Sequence, residues 1–193
     1  MWSAAILAGG KASRFGGQDK GALVVEGQTI LERQLSALSL AATEILIVGA
    51  GTPRDGVRVV SDFVPGCGPL GGLHTALNEA ACEVVVVVAC DMPYVTAPLL
   101  AHLARLADEA EAVVPMTEHG YHPLCAAYTR ACLGHIAGRL ASGRLKMMEA
   151  LTDLNVRVVA TEEIERFGRR HRLLANLNTP ALHNSLALKS QEL

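Results

Sequence analysis

The sequence predicts a single Rossmann-like doubly wound α/β domain, a mostly parallel sheet with helices on both faces. Three observations lead there. Short apolar runs alternate with amphipathic segments along the chain. Those runs are apolar at nearly every position, so they are buried on both faces, as parallel strands between helix layers are. No internal repeat, low-complexity tract or shift in composition marks a linker, and residues 1–193 therefore read as one domain.

Taken in order, strands are expected over residues 4–8, 45–48, 57–60, 84–89, 112–114 and 156–160. Thr29 and Glu32 have capping-box spacing and start a helix in which Leu31, Leu35 and Leu38 recur on one face, with Glu32, Arg33 and Gln34 outside. Further helices fit residues 70–81, 98–107, 132–140 and 180–188. The last begins at Thr179-Pro180, a favourable start because proline needs no amide partner in the first turn.

Composition narrows the function. Hydrophobic residues make up 50% of the chain and charged residues 19%, which excludes disorder. A formal charge of −2 gives no electrostatic grip on nucleic acid or anionic membranes, so any phosphate must be held locally. The longest apolar run, residues 84–90, is far short of the roughly 20 residues a spanning helix needs. Met1 to Leu7 has no basic flank before its apolar stretch, as a secretory signal would. The expectation is a cytoplasmic protein with no membrane or nucleic-acid partner. Five cysteines with no Cys-x-x-Cys pair read as reduced, packed side chains.

In such a sheet ligands bind beyond the carboxyl ends of the strands. After the first strand comes Leu7-Ala8-Gly9-Gly10-Lys11-Ala12-Ser13-Arg14-Phe15-Gly16-Gly17-Gln18-Asp19-Lys20. Its glycines let the backbone come close to a ligand, and Arg14 and Lys20 add positive charge, which together make a phosphate cradle. It matches neither GxxxxGK[ST] nor GxGxxG. Asp62 follows the strand at 57–60, and Asp91 follows the strand at 84–89 within Cys90-Asp91-Met92-Pro93. A hard carboxylate there suits Mg²⁺ beside nucleotide phosphates, and Asp91 is the first choice of metal ligand. Gly66-Cys67-Gly68-Pro69-Leu70-Gly71 does match GxGxxG and supports a rival reading as an NAD-dependent oxidoreductase. Pro65 and Pro69 count against that rival, since they remove amides a pyrophosphate would need, and so does the distance of the first glycine from its strand. The metal carboxylate and lysine together argue against a non-catalytic nucleotide-binding module.

Together these segments resemble the MobA-like nucleotidyltransferases, most closely the molybdenum cofactor guanylyltransferases. The resemblance rests on Leu7-Ala8-Gly9-Gly10 with Ser13-Arg14-Phe15-Gly16 and Asp19-Lys20, on Asp62 with Pro65 to Leu70, on Cys90-Asp91-Met92-Pro93, on His122-Pro123-Leu124 and on Asn176-Leu177-Asn178-Thr179-Pro180, in that order along the chain. It implies transfer of GMP from GTP to the terminal phosphate of the molybdopterin cofactor, with Mg²⁺ as cofactor and apo-molybdoenzymes or their chaperones as recipients. The roles it implies are nucleotide binding at Leu7, Ala8, Gly9, Gly10 and Asp62, phosphate contact at Arg14 and Lys20, and metal at Asp91. His122, Pro123 and Asn178 fall on the pterin side. Two positions depart from the family pattern: Phe15 stands where methionine is common, and Val48-Gly49-Ala50-Gly51 where some members carry a nucleoside-contacting asparagine. Molybdenum cofactor cytidylyltransferases resemble the chain too, but tend to read Leu-Ala-Ala-Gly at Leu7-Ala8-Gly9-Gly10, where Gly9 leaves room for a purine. Sugar-1-phosphate nucleotidyltransferases share the glycine loop but not the segment at 176–180. Residues 162–172, with four arginines balanced by three glutamates, read as a solvated helix or loop.

Overall fold

The structure, a computed structural model, describes residues 1–8, 20–49, 51 and 54–177. The strands are β1 (Ser3–Ala8), β2 (Val24–Val25), β3 (Gln28–Thr29), β4 (Glu44–Gly49), β5 (Arg58–Val60), β6 (Val84–Ala89), β7 (Ala112–Thr117), β8 (Gly120–Tyr121), β9 (Cys125–Thr129) and β10 (Val156–Val159). The helices are α1 (Ile30–Ser39), α2 (Gly68–Glu79), α3 (Ala97–Leu106), α4 (Leu133–Ala141) and the short α5 (Met147–Ala150), α6 (Thr161–Ile164) and α7 (Arg170–Leu173). The expected helix at 180–188 lies outside the described residues.

The main sheet runs β10-β7-β9-β6-β1-β4-β5, with β8 paired to the end of β7. β1 pairs in parallel with β4 and β6, β4 with β5, and β10 with β7. The expected mostly parallel sheet is therefore present, with one reversal: β9 lies antiparallel between β6 and β7. Nothing local in the sequence announces β9. Cys125-Ala126-Ala127-Tyr128-Thr129 has no run of branched side chains to announce a strand, and its place is fixed by tertiary pairing instead. Because β9 reverses, β6 and β7 point the same way, and the carboxyl ends of all six parallel-running strands share one edge.

Alternation along each buried strand sorts two cores. Ala4, Ile6, Val86 and Val88 pack with Leu38 of α1 and with Leu99, Leu100 and Leu103 of α3. Ala5, Leu7, Val85 and Val87 pack on the opposite face with Leu70, Leu73 and Leu77 of α2 and Ile136 of α4. The helix start at Thr29 is as expected: Thr29 accepts from the Glu32 amide, and Glu32 accepts from the Thr29 amide. The expected face of α1 is not. Its buried residues are Ile30, Gln34 and Leu38, an i, i+4, i+8 stripe, whereas Leu31 and Leu35 are only partly covered. Gln34, expected outside, is completely buried.

Candidate active site

Asp91 lies just past the carboxyl end of β6, is only 8% exposed, and sits in a turn closed by the Met92 amide donating to the Ala89 carbonyl at 3.2 Å. Three other candidate segments converge on that turn through the backbone. The Cys90 amide donates to the Leu7 carbonyl of β1 at 3.3 Å, the Ala89 amide to the Leu124 carbonyl at 2.8 Å, and the Leu177 amide to the Asp91 carbonyl at 2.8 Å. The Asp91 turn is thus joined through Cys90 to the start of the glycine loop, through Ala89 to the His122-Pro123-Leu124 segment, and through Asp91 itself to the residue before Asn178.

A small satellite core reinforces this junction. Val25, Ile30, Tyr94 and Leu177 are buried against one another, with Leu23 and Ala175 at its margin. It packs the β2–β3 hairpin, the segment after Asp91 and the chain leading to Asn178 together. The hairpin turn places Glu26 and Gly27 at φ 50° and 85°, left-handed backbone that glycine takes freely and glutamate rarely does. The Glu26 carboxylate faces Arg33 at 3.2 Å and Arg172 at 3.0 Å, and those two guanidinium groups lie 5.3 and 4.6 Å from the centre of the Tyr94 ring.

Lys20 opens the 3-10 turn Lys20–Ala22 directly before this hairpin. Its side chain lies outside the described residues, as do Gly9, Gly10, Arg14, Phe15, Ala50 and Asn178. Leu7 is 6% exposed and Ala8 partly covered. Ala8, Gly21, Ala22, Gly51 and Cys90 line a pocket of about 100 Å³. A larger groove of about 520 Å³, bounded by Arg33, Tyr94, Arg169 and Arg172, has no acid on its walls among the described residues.

Asp62 is placed differently. Between β5 and β6 lie β4 and β1, so the strand ends bearing the two acids are roughly 14 Å apart at 4.8 Å per strand. They do not share one metal shell as strand-end neighbours. Asp62 meets Leu7 across the bare face of Gly72, where a methyl would stand 3.4 Å from Leu7 Cδ2 and 3.8 Å from Asp62 Oδ1. That oxygen is buried and has no hydrogen-bond partner among the described residues. Burial without a partner pushes the Asp62 carboxyl above its usual value.

On the other side of Asp91, the His122 amide donates to the Pro115 carbonyl of β7 at 2.8 Å, and its Nε2 lies 3.0 Å from Thr117 Oγ1. Burial first, and then the neighbouring His119, lower its pKa, so the ring is neutral near pH 7. The hydroxyl of the buried Tyr128 donates to the Pro123 carbonyl at 2.8 Å and fixes that corner. No group of three or more His, Cys, Asp or Glu side chains converges among the described residues. A single carboxylate nevertheless suits Mg²⁺, which takes few protein ligands and completes its octahedron with phosphate and water oxygens.

The GxGxxG match after β5 is structural. Gly66 and Gly68 have φ 84° and 62°, and a methyl on Gly71 would stand 2.9 Å from Cys67 Cβ and 3.2 Å from the Val64 carbonyl. It also follows the edge strand of the sheet, whereas a dinucleotide fingerprint belongs beside the switch point in strand order. In residues 162–172 the charges are largely committed: Arg170 pairs with Glu118 and Glu165, and Glu163 with His102 and Arg157. All five cysteines are free, and burial pushes the Cys125 and Cys132 thiols up to about 12. Among the described residues no helix is long and apolar enough to cross a membrane.

The family model described as MobA-like NTP transferase domain matches residues 4–162. A probable molybdenum cofactor guanylyltransferase of Clostridium perfringens is 32% identical over 197 aligned positions that cover 98% of each chain. Another, of Pelotomaculum thermopropionicum, is 33% identical and covers 91% of this chain and 87% of its own. Among solved structures, molybdopterin-guanine dinucleotide biosynthesis protein A of Archaeoglobus fulgidus superposes with a TM-score of 0.84 at 24% identity, covering 99% of this chain and 100% of that one. The 2-C-methyl-D-erythritol 4-phosphate cytidylyltransferase of Thermus thermophilus superposes at 0.69 and 21% identity, covering 97% and 100%. These two likenesses establish the shared fold.

Proposed function

The chain belongs to the MobA-like NTP transferase domain family, and from that premise we propose that it transfers GMP from GTP to the terminal phosphate of molybdopterin, releasing pyrophosphate. One structural observation supports this above the others: the Asp91 turn is hydrogen-bonded at once to the segments expected to hold the nucleotide and to those expected to hold the acceptor. A transferase must align two polyanions, and a junction of this kind sets their relative position.

The acceptor phosphate is already an anion, so no general base is required. Catalysis then consists of alignment and of neutralising charge as it develops on the transferred phosphoryl group. Lys20 and Arg14 supply positive charge, and the backbone at Leu7, Ala8, Gly9 and Gly10 approaches the base and ribose. Asp62 offers its buried oxygen, which has no hydrogen-bond partner among the described residues, to a donor on the nucleoside. Asp91 would hold Mg²⁺, which would supply positive charge against the triphosphate. Neutral His122, Pro123 and Asn178 line the pterin half, and the dinucleotide product passes to an apo-molybdoenzyme or its chaperone.

Because the fold is common to a cytidylyltransferase as well, the base must be decided by assay. The protein is incubated with Mg²⁺, molybdopterin and each nucleoside triphosphate in turn, and pyrophosphate release is measured. Turnover with GTP and none with CTP is expected, and Gly9→Ala should harm GTP use more than CTP use. Equal turnover of both triphosphates overturns the guanylyl assignment.

A further inference from the structure

Gln34 of α1 is completely buried, yet it is neither a substrate contact nor a helix cap. Its side-chain amide donates both hydrogens to main-chain carbonyls, to Ala89 at 2.7 Å and to Met92 at 3.0 Å. Since carbonyls only accept, these contacts fix which end of the side chain is the nitrogen. The oxygen Oε1 is left buried with no partner among the described residues, which an apolar side chain of the same size would avoid. What Gln34 gains for that cost is a grip on either side of Asp91. Arg33, its neighbour, adds a third bond from Nε to the Pro93 carbonyl at 3.1 Å.

We propose that Gln34 is a positioning residue that fixes the Asp91 turn against α1, and so sets where the Asp91 carboxylate presents itself to the metal and the triphosphate. The helix is well placed for the task. Its first turn is locked by the Thr29–Glu32 capping box immediately after the hairpin that follows Lys20, and the Ile30 amide donates back to the Leu23 carbonyl at 2.9 Å. One rigid element therefore spans from the Lys20 side of the site to the Asp91 side. The proposal rests on the reading of Asp91 as metal ligand given above.

The test uses Gln34→Met in the full chain, which removes both donors and keeps length and volume. Three quantities are read: Mn²⁺ affinity in the presence of GTP by electron paramagnetic resonance, kcat and KM for GTP at saturating metal, and amide hydrogen exchange. Mn²⁺ affinity and kcat should each fall about tenfold, the lower end for a lost partner of a metal ligand. KM should stay within about twofold, and the Met92 amide should exchange faster while those of β1 and β6 do not. Unchanged Mn²⁺ affinity with a protected Met92 amide overturns the proposal, whatever the melting temperature. Should Gln34→Met not fold, Gln34→Asn draws the amide back by one methylene and should show the same changes; normal values there overturn it equally. If the unmodified protein binds no Mn²⁺ with GTP, the metal reading of Asp91 falls and the proposal with it, a result distinct from normal binding that Gln34→Met leaves intact.

Discussion

Two acids stand at the same edge of the sheet, and the protein treats them in opposite ways. Around Asp91, the carbonyls of Ala89, Asp91, Met92 and Pro93 are all engaged, by Gln34, Leu177 and Arg33. Around Asp62, by contrast, the backbone is anchored by the Phe63 amide donating to Thr75 Oγ1 at 3.0 Å, and Phe63 and Val64 are 51% and 38% exposed. A carboxylate that must meet a metal ion at a set place needs its backbone fixed in advance, because the rate depends on alignment before reaction. A carboxylate that only binds a nucleoside can leave its last hydrogen bond for the ligand to supply. On the proposed roles, the contrast is between a group fixed in advance and one that the substrate would complete.

The sharpest way to break this contrast is Asp91→Asn. It keeps the size but removes the negative charge a hard cation requires. Turnover should fall roughly 10³-fold and the Mg²⁺ requirement should rise, while the melting temperature stays within a few degrees because backbone bonds hold the turn. Early melting with a normal Mg²⁺ requirement would make Asp91 structural and move the metal search to Asp62. Lys20→Ala tests the proposed phosphate cradle and should cost about 10²-fold in turnover, the scale of one lost donor to transition-state charge. Near-normal turnover there would mean that the glycine loop is not the phosphate cradle.

Asp62→Asn should have a smaller effect on catalysis and an opposite one on stability. A lost charged hydrogen bond to the nucleoside should raise KM for GTP about tenfold with little change in kcat. Stability should move the other way. Burial raises the Asp62 carboxyl above its ordinary 3.8, so its ionised form costs the folded state free energy. That cost is absent below pH 3.8, grows as pH rises through the raised value, and persists at neutrality. The variant lacks it and should be more stable than the parent at pH 7, with the difference shrinking toward pH 4 in urea titrations. A variant less stable at pH 7 would show that Asp62 is already satisfied in the free protein.

The parts of this contrast that the sequence revealed are those written in local chemistry. The central strands, the capping box at Thr29 and the carboxylate after 84–89 each have a periodicity or a spacing that a short window contains. What it hid depends on distant partners. The strand Cys125–Thr129 is a strand because Val84 to Val88 pair with it. Gln34 looked like an outer residue because a polar side chain beside Glu32 and Arg33 is usually solvated, and only the carbonyls 55 and 58 positions away explain its burial. One signal was available: Ile30, Gln34 and Leu38 fall on a single i, i+4, i+8 stripe, and a polar residue centred between two large apolar ones is worth suspecting.

The smallest expected effect marks how far the fixed region around Asp91 extends. Arg172 lies against the Tyr94 ring, three residues beyond Asp91, and its guanidinium pairs with Glu26. As a contact to an acceptor phosphate, its removal would lower turnover sharply. As part of the clasp on Tyr94 it shares that ring and the Glu26 carboxylate with Arg33, and Tyr94 stays buried with Val25, Ile30 and Leu177. An exposed cation–π contact is worth about 0.5–1 kcal/mol and a surface ion pair no more, so Arg172→Ala should lower stability by about 1 kcal/mol. Turnover should change less than about threefold, since an effect of that size on a remote anchor leaves the Asp91 turn in place. A loss of turnover as large as that of Gln34→Met would show that the clasp, rather than α1, is what holds Asp91, and a loss near that of Lys20→Ala would place Arg172 on the substrate itself.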